Sequence, residues 1–261
     1  MYADLARCER VDECPDVRRR GKTATRAAQL VLARMLRLFH LLCEAAGTPY
    51  WVMFGTLLGA VRHQGFIPWD TDVDVAMRAA DLERWRAQHG PATLARLGLR
   101  LEPDPAAHMY RLRDEGGSCY TEWVAGLERA QRRSLRDARF PLQLDIFLLA
   151  PAAAGQLAVH PGDTPKLRFP QSWFTGPGRV LAFEGFPVLA PREPEACLER
   201  EYGPGWRALP PPAQRVSNEG AADPFRTCNE WLAAGRRAPA ALGGALDEAP
   251  LKSSAQDKSE A

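Results

Sequence analysis

The chain has 261 residues, of which 46% are hydrophobic and 25% charged. That balance excludes a wholly disordered protein and leaves room for a sizeable core. A formal net charge of +2 gives no sign of a dedicated polyelectrolyte binder, so no nucleic-acid partner is expected.

Residues 1–22 are polar, with Pro15 and the run Arg18-Arg19-Arg20, and read as a loose leader. From Thr23 to Ala46 apolar residues recur at Ala28, Val31, Leu32, Met35, Leu38, Phe39 and Leu42, the spacing of one helical face. Arg34, Arg37 and His40 interrupt this stretch, so it cannot span a bilayer, and no other stretch is longer or more apolar. The Met-Tyr-Ala-Asp-Leu start lacks the basic flank and apolar block of a cleavable signal. Taken as complete, the chain is expected in the cytoplasm.

Gly47 and Pro49 stop the helix, Tyr50 to Phe54 is a short strand, and Gly55-Thr56 turns out of it into a short helix. Asp70 to Met77 alternates strictly, as a strand with one buried face does. Asp81 to His89 reads as a helix, and Leu97 to Leu101 and Met109 to Arg113 as strands. Leu142 to Leu149 is a strong buried strand, Arg179 to Ala190 a hairpin turning at Glu184-Gly185, and Pro194 to Tyr202 a helix ending at Gly203. A last helix is expected within Asp223 to Ala234 and a disordered tail over 239–261. The class is α/β or α+β: a mixed β-sheet flanked by helices, in a single domain over 23–238.

None of the six cysteines forms a Cys-x-x-Cys pair, which disfavours a zinc knuckle. Cys43 falls on the apolar face of its helix, as a small core residue does. Cys8 and Cys14 are placed to close a short loop in an oxidising compartment or to remain free thiols; the sequence leaves both open.

The chemistry concentrates between Gly55 and Met77. Asp70, Asp72 and Asp74 are spaced two apart. In a strand they share one face about 7 Å apart, while Val73 and Val75 point to the core. Like charges beside an apolar core repel unless a cation joins them, and hard divalent ions take oxygen ligands. An EF-hand loop is excluded, because its sixth position would be Val75 instead of glycine. A phosphatase of the Asp-x-Asp-x-Thr/Val type fits poorly, since Ala76 or Asp74 would fill its fifth position. The Asp-x-Asp of metal-dependent glycosyltransferases fits Asp72-Val73-Asp74 as a pattern, but too little chain precedes it for their nucleotide-binding region. The nucleotidyltransferase fold fits better. Gly55 permits close backbone approach, Thr56 offers its N–H and hydroxyl to a phosphate, and Asp72 and Asp74 hold metal. Asp145, alone inside an apolar strand, supplies the third carboxylate that fold needs. Unpaired there it would cost several kcal/mol.

The block Gly55-Thr56-Leu57-Leu58-Gly59-Ala60-Val61-Arg62-His63-Gln64-Gly65-Phe66-Ile67-Pro68-Trp69-Asp70-Thr71-Asp72-Val73-Asp74-Val75 resembles the centre of the LicD family. That family includes bacterial phosphocholine transferases and the animal fukutin and fukutin-related proteins. Leu144-Asp145-Ile146-Phe147 resembles its third-carboxylate strand, and Arg179 to Pro191 with Tyr202-Gly203 its closing hairpin and helix. The family often has Asp where Thr71 stands. The resemblance implies transfer of a phospho-alcohol, such as phosphocholine or ribitol phosphate, from a CDP-linked donor to a glycan hydroxyl with release of CMP. It implies Mg²⁺ or Mn²⁺ on Asp72, Asp74 and Asp145. It also admits the secretory pathway, if the chain is a fragment lacking an anchor.

Arg62, His63, Asp70 and Arg113 are further candidates for phosphate or substrate binding, and Trp69 for a pocket wall, each weighed against plain surface or packing roles. Trp51, Trp123, Trp173 and Trp206 are more simply core. Arg129, Arg132, Arg133, Arg136 and Arg139 make a basic segment facing solvent or an anionic glycan. Nucleotidyl transfer with pyrophosphate release, the glycosyltransferase reading, and a non-catalytic module are the alternatives. Oligomeric state is not legible.

Overall fold

The computed structural model describes residues 3–105, 107–121, 140–153, 155–159, 167–176 and 178–234. The basic segment 129–139, Trp123 and the expected tail at 239–261 lie outside the described residues.

A short helix α1 (Ala3–Ala6) precedes the long helix α2 (Ala24–Ala46). The Thr23 side chain caps α2 by accepting from the Arg26 N–H, and Gly47 ends it in the left-handed conformation at φ 58°. Sequence spacing predicts one apolar face, yet α2 is buried nearly all round, Gln29, Arg37 and His40 included. Residues 3–22 are the reason. Leu5, Cys8, Cys14 and Val17 join the same apolar cluster as α2, so the segment read as a loose leader is packed onto the core. Its carbonyls satisfy the buried Arg37 and the half-buried Arg34: Arg37 Nε donates to Cys8 O at 2.8 Å and Arg34 Nε to Cys14 O at 3.0 Å. Cys8 and Cys14 pair as a disulfide, which decides between the two readings of those thiols. Cys43 is free and buried, as expected.

Strand β1 (Trp51–Val52) is shorter than expected, because helix α3 (Phe54–His63) begins at Phe54. Gly55 and Thr56 therefore sit in the first turn of a helix instead of a turn before one. Strand β2 (Val73–Arg78) also begins late, so Asp70 and Asp72 precede it. Both its faces are covered: Val73, Val75, Ala76 and Met77 are all fully buried. Helix α4 (Ala79–Gln88) is followed by α5 (Pro91–Arg96), which the sequence reading missed. Gly90-Pro91 reads as a break, but proline at the first helical position is a start.

Strands β3 (Leu99–Asp104), β4 (Met109–Asp114), β5 (Cys119–Tyr120) and β6 (Gln143–Pro151) follow, then β7 (Gln156–Val159) and β8 (Arg168–Pro170). The sheet runs β1-β2-β6-β4-β3, with β7 on the far half of β6 and β8 on β7. β2 and β6 are parallel and the other pairs antiparallel, so the sheet is mixed, as expected. Strands β9 (Arg179–Phe183) and β10 (Phe186–Ala190) form the expected hairpin. Glu184 (φ 52°) and Gly185 (φ 93°) make its two-residue turn. Helix α6 (Pro194–Tyr202) ends at Gly203 (φ 83°). The last expected helix is cut to α7 (Cys228–Ala233), capped by reciprocal hydrogen bonds of Thr227 and Glu230. Ahead of it, β11 (Ala222–Asp223) pairs with β5, and a second disulfide joins Cys119 to Cys228. Among the described residues no helix is long and apolar enough to cross a membrane.

Candidate active site

The parallel pairing of β2 with β6 sets Asp74 directly beside Asp145. Neighbouring strands lie about 4.8 Å apart, so two carboxylates in register face one another at close quarters. Arg111 on β4 is the register partner of Asp145 on its other side, with Nε 3.6 Å from the carboxylate Oδ1. Asp145 also accepts a 2.9 Å hydrogen bond from Gln143 Nε2. Arg113 stands behind Gln143. Its Nη1 donates to Gln143 Oε1 at 2.6 Å and its Nε to Glu102 at 2.5 Å, and burial lowers its pKa to about 10. Arg113 thus reaches Asp145 through Gln143 and not through open space.

Asp70 and Asp72 arrive on the loop before β2. The Gln29 amide, on α2, holds the Asp70 carbonyl at 2.9 Å. The Asp70 side chain lies against the first turn of α3, where a Cβ on Gly55 would stand 2.7 Å from its Oδ2. Gly55 therefore permits a close approach, but of Asp70. The helix N-terminus is a favourable place for that negative charge. Phe54 begins the helix at φ 50°, a conformation uncommon for a bulky residue. Thr56 Oγ1 accepts from the Asp74 N–H at 2.9 Å, which ties the α3 turn to β2 and leaves the hydroxyl proton available.

The electrostatics are those of crowded acids. Burial, then the Asp72 charge, pushes Asp70 up to about 8. Burial raises Asp72 as well, with the Asp70 carboxyl beside it opposing that rise. Asp74 is only 8% exposed, and no hydrogen bond reaches its carboxyl among the described residues. Burial and the charges of Asp72 and Asp145 hold it well above the ordinary carboxylate range. Burial lifts Asp145 to about 7, with Arg111 opposing and Asp72 adding. Asp72 Oδ1 is buried with no hydrogen-bond partner among the described residues.

Glu219 was missed. It lies in a polar loop after Pro210-Pro211-Pro212, where neither spacing nor alternation marks it. Its charge acts on Asp70 and Asp74, and burial, followed by the charges of Asp72 and Asp145, raises it to about 7, with Arg111 opposing. Of the remaining expected residues, no contact joins Arg62 or His63 to these acids among the described residues. Arg62 Nη1 donates to the carbonyls of Trp206 and Ala208, both at 3.1 Å, and its Nε to His63 Nε2 at 2.9 Å. Burial and the Arg62 charge push His63 down to about 4, so it is neutral at pH 7. Trp69 packs on the core with the Arg215 guanidinium 5.7 Å from its ring centre. Thr71 presents its hydroxyl to Ser217 at 2.7 Å and its carbonyl to the Tyr120 hydroxyl at 2.7 Å. Tyr202, 45% exposed, lies within electrostatic reach of Asp74 and Asp70.

Hard carboxylate oxygens suit a divalent cation, and the orphaned Asp72 Oδ1 and unbonded Asp74 carboxyl are donors in want of one. As the side chains lie, no three acids among the described residues enclose a metal position.

A mixed sheet carrying Asp74 and Asp145 in register, behind a Gly-Thr helix start, describes an acidic α/β site. Residues 47–193 match the LicD/FKTN/FKRP nucleotidyltransferase domain. The chain belongs to the LicD family. It is 47% identical over 64 residues to lipopolysaccharide cholinephosphotransferase LicD of Haemophilus influenzae, a stretch covering 24% of each protein. It is 30% identical over 167 residues to ribitol 5-phosphate transferase FKRP of Mus musculus, covering 62% of this chain and 29% of the relative. The matched stretches therefore span about a quarter of the length of those curated relatives.

Proposed function

We propose that the chain is a phosphotransferase that moves a phospho-alcohol from a CDP-linked donor to a glycan hydroxyl and releases CMP. The observation that carries this reading is the register of Asp74 with Asp145, with Asp72 at the entry to the same strand, in a member of this family. Relatives named as a cholinephosphotransferase and a ribitol 5-phosphate transferase suggest the transferred group. The arrangement fits the nucleotidyltransferase fold.

In the proposed reaction the acceptor oxygen attacks the phosphorus that bears the alcohol. The bond from that phosphorus to the bridging oxygen breaks, and CMP leaves with the electron pair. Mg²⁺ or Mn²⁺ on Asp72, Asp74 and Asp145 would supply positive charge to the diphosphate. The chain's own residues do the rest. Thr56, in the first turn of α3, offers its N–H and hydroxyl to a phosphate oxygen, while Gly55 makes the room that Asp70 occupies. Gln143 and Arg111 orient Asp145, which in this reading would take the proton of the acceptor hydroxyl. Arg62 fixes the chain at Trp206 and Ala208, and His63 supports Arg62 as a neutral acceptor. Trp69 and the half-exposed Tyr202 give aromatic surface for the base or the alcohol. The two disulfides favour an oxidising compartment over the cytoplasm.

The test is incubation with CDP-choline or CDP-ribitol, a divalent metal and a panel of glycans. CMP release that EDTA stops, and that Asp145→Asn abolishes, is expected. Consumption of CTP or ATP with pyrophosphate release, and no CMP from any CDP-alcohol, would replace this reading with nucleotidyl transfer.

A further inference from the structure

The segment 215–228 runs across the acidic loop and is fastened along its whole length. At its start the Arg215 guanidinium stacks over Trp69, and Arg215 Nε donates to Pro210 O at 3.0 Å. Ser217 Oγ meets Thr71 Oγ1 at 2.7 Å, between the two loop aspartates. Ser217 Oγ then accepts the Glu219 N–H at 3.2 Å, so one hydroxyl fixes both Thr71 and the Glu219 backbone. Beyond Glu219, Ala221 O accepts from Thr121 N at 2.9 Å, and β11 pairs with β5. Arg18 of the N-terminal segment donates to Pro224 O at 2.7 Å and to Asp114, and Cys228 is bonded to Cys119.

All this fastening delivers one carboxylate to a place where carboxylates already crowd. Glu219 Oε2 is buried with no hydrogen-bond partner, and no salt bridge joins Glu219 to a cation among the described residues. A carboxylate whose Oε2 lacks a donor beside Asp72 and Asp145 works against stability, with only the Arg111 charge named in opposition. The tethers that keep it there make sense if a cation completes the group. The nine-tenths-buried Asp74 carboxyl, unbonded and turned toward the same acids, points to the same missing charge independently of Glu219.

We propose that Glu219 is a cation-site carboxylate, carried to Asp72 and Asp145 by a strap that the Thr71–Ser217 hydrogen bond positions. The inference rests on the cation-assisted reading given above and adds to it a donor from outside the family-matched residues 47–193. It also gives Thr71 a role. Where an aspartate at that position would bring another charge, the threonine hydroxyl holds the strap that brings Glu219.

Direct Mn²⁺ titration of the full chain by calorimetry, with melting curves in EDTA, tests this. Glu219→Gln keeps the size of the side chain and is expected to bind Mn²⁺ about tenfold more weakly. Its melting temperature in EDTA should be no lower than the parent's, since a repelling charge is gone. Ser217→Ala retains Glu219 and should weaken Mn²⁺ by a smaller factor, through position alone. If Glu219→Gln instead unfolds, Ser217→Ala and Glu219→Asp decide the matter by the same titration. Parental Mn²⁺ affinity in a folded Glu219→Gln, or in the folded substitutes, overturns the role of Glu219 and leaves the Asp72, Asp74 and Asp145 site standing. A parent chain that binds no Mn²⁺ overturns the cation reading itself, and Glu219 falls with it.

Discussion

Asp74 and Asp145 are strand acids, while Asp70, Asp72 and Glu219 are loop acids, and the site depends on both kinds. The strand pair is held by the backbone register of β2 and β6, which hydrogen bonds on both flanks of each strand enforce. The loop acids are held by single side chains: Gln29 on the Asp70 carbonyl, Gly55 making room for the Asp70 carboxyl, Ser217 on Thr71 and on Glu219. A slipped register would turn every side chain of β2 over, at a large cost in burial. A lost side-chain hydrogen bond costs about 1 kcal/mol. The two kinds of acid should therefore separate under mutation.

The largest effect belongs to the strand pair. Asp74→Asn or Asp145→Asn should lower the rate of CMP release at least about a thousandfold, because each removes charge from the reacting centre itself. Neither should lower the melting temperature in EDTA, since each relieves repulsion among buried acids. Ser217→Ala should cost only about tenfold in rate, as expected for a hydrogen bond that positions. Rates measured side by side decide this. A Ser217→Ala loss equal to that of Asp145→Asn would show that the strap and the strands form one unit.

A comparable contrast exists between the two disulfides. Cys119–Cys228 closes a loop of 109 residues and Cys8–Cys14 one of 6. On chain-entropy grounds the first contributes about 5 kcal/mol and the second about 2 kcal/mol. Urea denaturation of Cys119→Ala/Cys228→Ala should show the larger loss, together with weaker Mn²⁺ binding because the strap ends at Cys228. Cys8→Ala/Cys14→Ala should cost less and leave Mn²⁺ binding unchanged. Deletion of residues 1–22 goes further than either substitution at Cys8. It removes the carbonyls that satisfy Arg34 and Arg37 and uncovers α2, so a melting temperature lower by at least about 10 °C is expected. An unchanged melting temperature would restore the leader to a loose appendage.

What the sequence showed follows the same division. Alternation and β-branched residues made Val73–Met77 and Leu142–Leu149 readable as strands, and Asp74 and Asp145 stood out as charges in apolar runs. Their direct neighbourhood came from register, which alternation narrows but does not state. Asp70 and Asp72 were read as strand residues on one face. The chain instead bends there, since the backbone of Asp70 is drawn to Ile67 O and Gln29 rather than to a neighbouring strand. Glu219 gave no signal, because it depends on a serine more than a hundred residues from its threonine partner. The N-terminal segment was misjudged on polarity. Its buried work is done by Leu5, Val17, a disulfide and backbone carbonyls, and carbonyls carry no mark in a sequence.

The last expected effect is one of pH, and it has opposite signs with and without cation. In EDTA, Asp70, Asp145 and Glu219 titrate near 8, 7 and 7 in the folded protein, each raised above its ordinary value near 4. Between pH 4 and pH 8 the folded chain therefore holds more protons than the unfolded chain. Stability falls as pH rises wherever that is so. The contribution of these groups is fully present below about pH 4 and is lost as pH passes 7 to 8. The metal-free melting temperature should thus decline from pH 5.5 to pH 8. A cation must displace the same protons to bind, so Mn²⁺ affinity should rise over that interval. Melting curves at fixed ionic strength, with EDTA and with saturating Mn²⁺, should cross: the metal-free protein is favoured by acid, the loaded protein by base. In Glu219→Gln the metal-free decline should be shallower, because one of the three titrating groups is gone, whereas Ser217→Ala leaves all three in place. Two parallel curves would mean that these acids do not share their site with a cation.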